Sequence, residues 1–431
     1  MTRVALVNPP WSFENSIYFG CREPHLPLEL GYARALLKEA GHDVSMLDGH
    51  LTATSFEALA DEVARFRPDF TVVTTAPSYL FWRCAQPELR VPRRFLDVLG
   101  SRGGSTVAIG PHGSATPSAA SRKLGVDVVV RGEPEEILVR LAEAGDLADV
   151  PAIAWVDAGR VVVNGLPHAS TFIDAPALRW PDTWIARHHH HHHRFDTTAL
   201  GPGAEIEASR GCPYTCSFCA KSHFRDRYRR RKLPLVLDEL DGLIAQGVRY
   251  IYFVDEIFLP DRALLEALVE RPIVFGIQTR IDLWKSDMIA LLGRAGCVSI
   301  EAGVESLTPE GRAALDKKCR LSTDELAEKL LQARRVVPFV QANLIKSEGD
   351  DADEIARWRE FMRESGVWAN DPVPLYTYPS SPDYVRRWGQ PDDLAWERAH
   401  AHYLGEFSEM SDIQEALPLP LEQLEVGCIP R

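Results

Sequence analysis

The residues best suited to chemistry stand in one run, Arg210-Gly211-Cys212-Pro213-Tyr214-Thr215-Cys216-Ser217-Phe218-Cys219. Three thiols separated by three and then two residues can each bind one iron of a cubane cluster. With only three, the fourth iron stays open to a substrate or cofactor. A structural zinc site normally takes four ligands, and the nearest further candidate is His223. Zinc therefore stands as the weaker alternative. A free-thiol reading is weaker still, because three reactive cysteines in one exposed loop would be an oxidation hazard. Cys21, Cys84, Cys297, Cys319 and Cys428 are scattered singly and read as small buried apolar residues.

With an aromatic residue just before its third cysteine, this motif resembles that of the radical S-adenosylmethionine (radical SAM) enzymes. The resemblance covers roughly the second half of the chain. It implies that Cys212, Cys216 and Cys219 hold a [4Fe–4S] cluster whose open iron takes the amino and carboxylate groups of S-adenosylmethionine. Reductive cleavage would then give a 5′-deoxyadenosyl radical, with the electron supplied by a donor such as flavodoxin or ferredoxin. Other strand ends fit the same family. Asp255 and Glu256 look like its acidic contact to the methionine amino group, and Arg280 like a cation for the carboxylate. Glu301-Ala302-Gly303-Val304-Glu305-Ser306 resembles the Gly-Val-Glu-Ser stretch of cobalamin-type members, which puts Glu301, Glu305 and Ser306 at the cofactor. Tyr376-Thr377-Tyr378-Pro379-Ser380-Ser381-Pro382 resembles a Tyr-Pro-Gly-Thr-Pro segment expected to face or close the substrate cavity. One departure is plain: Ile345-Lys346-Ser347-Glu348-Gly349 stands where the family often has a Gly-Leu-Pro-Gly-like loop.

The first half resembles the cobalamin-binding domain often joined in front of such radical domains. Val7-Asn8-Pro9-Pro10, Leu30-Gly31-Tyr32-Ala33 with Gly41-His42-Asp43-Val44, Gly110-Pro111-His112 and Arg131-Gly132-Glu133-Pro134-Glu135 carry the likeness. It implies a corrin on the sheet edge near Asn8, Thr75, Gly110, His112, Gly132 and Glu133, where open α/β sheets bind ligands. The Asp-x-His-x-x-Gly sequence that supplies a lower-face ligand in many cobalamin proteins is absent. His112 is thus expected to shape the pocket rather than ligate cobalt, and the segment 74–82 to cover the lower face or pack as an aromatic loop.

Regular elements must position these residues. In the first 165 residues strands are expected at 3–8, 43–48, 69–75, 106–110 and 127–131, and helices at 27–40, 56–66, 91–99, 115–124 and 135–144. Such alternation favours a parallel, doubly wound sheet. A hairpin at 152–156 and 160–163 closes it. Residues 166–203 break the pattern and read as an interdomain linker. Inside it, His188–193 reads as a solvated or inserted run in preference to a metal site, since six adjacent side chains cannot all face one point. From 204 to 390, strands at 205–209, 250–254, 273–278, 298–301, 339–345 and 373–378 alternate with helices at 234–246, 261–269, 285–294, 323–335 and 352–365. Six repeats make a partial (β/α)6 radical SAM barrel, whose chemistry belongs at the strands' C-terminal ends. Residues 391–431 form a helical tail.

Acids outnumber bases 61 to 48, for a formal charge of −13. That balance argues against a nucleic-acid partner. The basic run 225–232 is read instead as a collar offsetting cluster charge. No apolar stretch is long enough to cross a membrane, and the first residues lack a signal peptide's layout, so a cytoplasmic location is expected. The expectation is a cobalamin-dependent radical SAM enzyme that methylates an unactivated carbon of a small-molecule or biosynthetic intermediate. The rivals are a radical rearrangement or cyclisation without methyl transfer, a transfer-RNA methylthiotransferase, and a zinc-stabilised binding protein.

Overall fold

β1 (Arg3–Asn8), β2 (Asp43–Asp48), β3 (Phe70–Thr74), β4 (Ser105–Ile109) and β5 (Val128–Val130) run parallel in the order β2-β1-β3-β4-β5. The hairpin β6 (Ile153–Asp157) and β7 (Arg160–Val163) extends this sheet antiparallel. The computed structural model describes residues 1–17, 24–78, 85–188, 202–221, 225, 227–347, 349–407, 410–412 and 417–427. Strand residues alternate between two apolar layers. Val4, Leu6, Val72 and Val107 meet Leu30, Ala33 and Leu37 of helix Leu28–Glu39, while Ala5, Val7, Val73 and Ala108 meet helices Phe56–Phe66 and Arg90–Leu99. Both faces are covered, which is the doubly wound arrangement.

The second sheet runs β8 (Gly203–Ile206), β11 (Tyr250–Phe253), β12 (Val274–Thr279), β13 (Cys297–Glu305), β14 (Phe339–Leu344) and β15 (Trp368–Ala369), all parallel. β9 (Ser209–Arg210) and β10 (Arg229–Arg230) form a separate antiparallel ribbon, so the first expected strand of this half is in fact two short ones. The sixth strand is Trp368–Ala369 and not 373–378. Pro372 and Pro374 lack the N–H that pairing requires, and Val373 makes only an isolated bridge to Ile345. The Asn370 side chain prolongs the ladder by bonding both the amide and the carbonyl of Leu344 at 2.7 and 3.0 Å.

Two further segments pack onto these sheets. Phe172, Leu178, Trp180, Trp184 and Ile185 are buried in one apolar cluster with Leu26, Leu28 and Tyr32 of the first half and the barrel core. His188, expected to be solvated, is buried, with Nε2 2.5 Å from Glu205 Oε2. His189–193 lie outside the described residues. The C-terminal helix Ala395–Glu406 adds Trp396, Ala399 and Tyr403 to the cluster that holds Val4 and Leu30. Among the described residues no helix is long and apolar enough to cross a membrane.

Candidate active site

The cysteine loop leaves the C-terminal end of β8 and is folded back by the β9–β10 ribbon. Gly211 makes the turn at φ +77°, and a Cβ there would stand 2.3 Å from the Arg227 carbonyl oxygen, so no other residue fits. The Gly211 amide donates to Glu256 Oε2 at 2.6 Å and the Cys212 amide to the Arg225 carbonyl at 3.2 Å. Farther along, Ser217 donates its amide to Leu315 (2.9 Å) and its hydroxyl to Asp383 (3.0 Å), and accepts the Asp383 amide at 2.9 Å. The loop is therefore fastened at both ends.

All three thiols are free. A hydrogen bond from the Cys219 thiol holds Cys216 down to about 7, with Lys317 and Arg280 adding to the effect, while that bond and burial push Cys219 well up. Burial raises Cys212. Among the described residues no three His, Cys, Asp or Glu side chains converge as one ion requires. Three thiols suit a cubane, whose irons each take one thiolate, better than a structural zinc, which normally takes four ligands. His223, the candidate fourth zinc ligand, lies outside the described residues.

Beside the loop, Glu305 Oε2 meets Lys317 Nζ at 2.7 Å, and Lys317 is nearly inaccessible. Arg280 is ion-paired to Asp282 at 2.8 Å and lies 4.2 Å over the Tyr214 ring. Glu301 points to Tyr252, whose hydroxyl is 3.3 Å away. Ser306 donates to Asp350 Oδ1 at 2.7 Å. Asp255 and Glu256 are turned toward the protein. Asp255 accepts the Ala208 amide at 2.9 Å and the Ser209 hydroxyl, and burial lifts its carboxyl to about 7. Glu256 holds Gly211 and Arg225.

At the edge of the first sheet, Asn8 bonds Asp48, Trp11 and Thr74. Thr75 is fully buried, and its hydroxyl has no hydrogen-bond partner among the described residues. Gly110 begins a short helix at φ +131°, and Gly132 (φ +87°) lies against the backbone of His168. His112 is buried, with Nε2 2.9 Å from the Gln86 carbonyl and its ring stacked 4.4 Å from Trp396. Burial lowers it to about 3. Residues 79–82 of segment 74–82 lie outside the described residues.

Glu133 marks where the two sheets meet. It takes Arg229 at 2.5 and 3.0 Å, and Arg210 reaches Glu135 at 2.7 Å and Glu207 at 2.8 Å. Three residues of the basic run turn inward, Arg225 pairing with Glu207 and Glu256, Arg229 with Glu133, and Arg231 with Glu239, while Arg227, Arg230 and Lys232 stay exposed. These partners are carboxylates, not the cysteine loop. Sequence reasoning missed Lys317 and Trp396. Neither lies in a motif, and only the fold brings Lys317 to the thiols and Trp396 to His112.

The three-thiol loop sits at the mouth of a parallel α/β barrel, and residues 206–361, which contain it, match the Radical SAM superfamily. The matched segment follows a doubly wound sheet in the chain. The anaerobic magnesium-protoporphyrin IX monomethyl ester cyclase of Cereibacter sphaeroides is 27% identical over 368 residues, 80% of this chain and 57% of that protein. The hopanoid C-3 methylase of Methylococcus capsulatus is 27% identical over 376 residues, 81% of this chain and 67% of the methylase. The chain therefore spans well under two thirds of the cyclase's length. Among solved structures, the radical S-adenosylmethionine methyltransferase TsrM of Kitasatospora setae superposes with TM-score 0.71 at 18% identity, over 90% of this chain and 76% of its own. The cobalamin-dependent radical enzyme OxsB gives 0.70 at 17%, over 94% and 66%. The two-sheet fold is theirs.

Proposed function

We propose that this chain is a cobalamin-dependent radical SAM enzyme that methylates an unactivated carbon of a small-molecule or biosynthetic intermediate. The observation that carries the reading is the meeting of two ligand-binding edges. The C-terminal ends of β5 and β8 come together at Glu133, Arg210 and Arg229, so a group on the first sheet and one at the cysteine loop would face a shared space. Cys212, Cys216 and Cys219 would hold the [4Fe–4S] cluster, and the orphaned Thr75 hydroxyl with the Gly110 turn would meet cobalamin. Bound there, the cluster, S-adenosylmethionine and cobalamin would supply radical hydrogen abstraction and methyl delivery. Glu305 and Lys317 offer opposite charges for an amino acid's amino and carboxylate groups beside the loop. Asp255 and Glu256 keep the loop in shape. His112, with Nε2 on the Gln86 carbonyl and its ring stacked on Trp396, would shape the corrin pocket rather than ligate cobalt. An external one-electron donor of the flavodoxin or ferredoxin type would serve the cluster.

A second reading, radical cyclisation without methyl transfer, draws on the likeness to the anaerobic cyclase. Stoichiometry separates the two. Anaerobic turnover of candidate substrates by the methyltransferase should form S-adenosylhomocysteine, 5′-deoxyadenosine and methylated product in about equal amounts. Product formed without S-adenosylhomocysteine would refute methylation and leave cyclisation standing.

A further inference from the structure

The charges buried between the sheets form a directed chain. Glu133 is inaccessible and belongs to the loop after β5. Besides Arg229, it accepts the Ser170 amide at 2.9 Å and the Ser170 hydroxyl, so the segment joining the halves is caught as well. Arg229 stands opposite Arg210 in the β9–β10 ribbon. Arg210 lies 3.5 Å from Glu133 and is sandwiched by Glu135, Glu207 and the Phe172 ring, 4.2 Å from its guanidinium carbon. The next two residues are Gly211 and Cys212. One carboxylate of the first half thus grips both strands from which the cysteine loop springs. A guanidinium held by both carboxylate oxygens is fixed in angle as well as distance, which a single point contact does not achieve.

We propose that Glu133 is a positioning residue that sets the cysteine loop against the edge of the first sheet. For the identity of the group on that edge it rests on the function proposed above. For the loop itself it rests on the ion pairs alone. Hydrogen exchange on the cluster-loaded full chain tests it. E133Q and R229Q should each accelerate exchange of the Gly211 and Cys212 amides at least tenfold, and the double variant should add little, because both singles break the same contact. E425Q removes a comparably buried carboxylate, 2.7 Å from Lys123 and far along the chain from the ribbon. It should leave those two amides unchanged while lowering the melting temperature. With cobalamin bound, dipolar spectroscopy between the reduced cluster and cob(II)alamin should give a narrow distance distribution in wild type and a broad one in E133Q. Should E133Q not fold, R229K keeps the charge but loses the fork and should show the same exchange effect, smaller in size. Unchanged amide exchange in E133Q or R229K, or equal acceleration in E425Q, would overturn the proposal. Failure of wild type to bind cobalamin would count against the proposed function, and the exchange comparison would still judge Glu133.

Discussion

Glu305 holds Lys317 at 2.7 Å from a left-handed backbone (φ +66°), at the point where β13 slips register against β14. Such a conformation costs a non-glycine residue free energy and is held only where its surroundings fix it. Here it aims a carboxylate and an ammonium at the space beside Cys216. In the proposed function this pair would orient the amino acid part of S-adenosylmethionine.

K317M strands the half-buried Glu305 carboxylate. It should cost about 3 kcal/mol of unfolding free energy by denaturant titration. It should also weaken S-adenosylmethionine binding at least tenfold by calorimetry. K317M/E305Q should regain stability without regaining affinity. Equal affinities for wild type and K317M would remove the pair from the binding site.

Replacing Cys212, Cys216 and Cys219 together by Ala should abolish bound iron and sulfide and the cluster's visible absorbance after anaerobic reconstitution. Retention of a full cluster in that variant would end the assignment.

His112 gives a pH signature. Its folded value of about 3 lies below its ordinary 6.5 because burial disfavours the charged ring. The unfolded chain therefore binds the extra proton first. This contribution to stability is complete above pH 6.5 and is lost as pH falls toward 3, at up to about 1.4 kcal/mol per pH unit. His112→Gln should flatten the stability profile between pH 6 and pH 4. Cob(II)alamin bound to wild type should show no nitrogen splitting that His112→Gln removes.

Trp396 is buried, stacks on His112 and donates its indole N–H to Thr116 at 3.1 Å. W396A should cost about 3–5 kcal/mol in chemical unfolding. Cobalamin affinity should fall with it, because His112 loses its support. A near-neutral result would mean that the C-terminal helix is not part of the first sheet's core.

Much of the framework was legible in the chain because its causes are local. Apolar spacing at Leu30, Ala33 and Leu37, β-branched runs such as Val128–Val130 and the cysteine spacing each follow from neighbours in sequence. Strands β1 and β2 and the helix Phe56–Phe66 stand where periodicity puts them. The sixth barrel strand was misread because the β-rich run 373–378, preceded by Pro372 and interrupted by Pro374, cannot supply a ladder, whereas the Asn370 side chain can. The destination of the buried charges was not legible at all. Arg225, Arg229 and Arg231 look like part of a positive collar for the cluster until Glu133, Glu207 and Glu239 are brought to them from elsewhere in the chain. His188 looks like one of six equivalent histidines until Glu205 selects it. Secondary structure and the cysteine motif are properties of short segments. The pairing of a buried ion depends on which distant carboxylate packing brings within hydrogen-bond reach, and only the tertiary structure decides that.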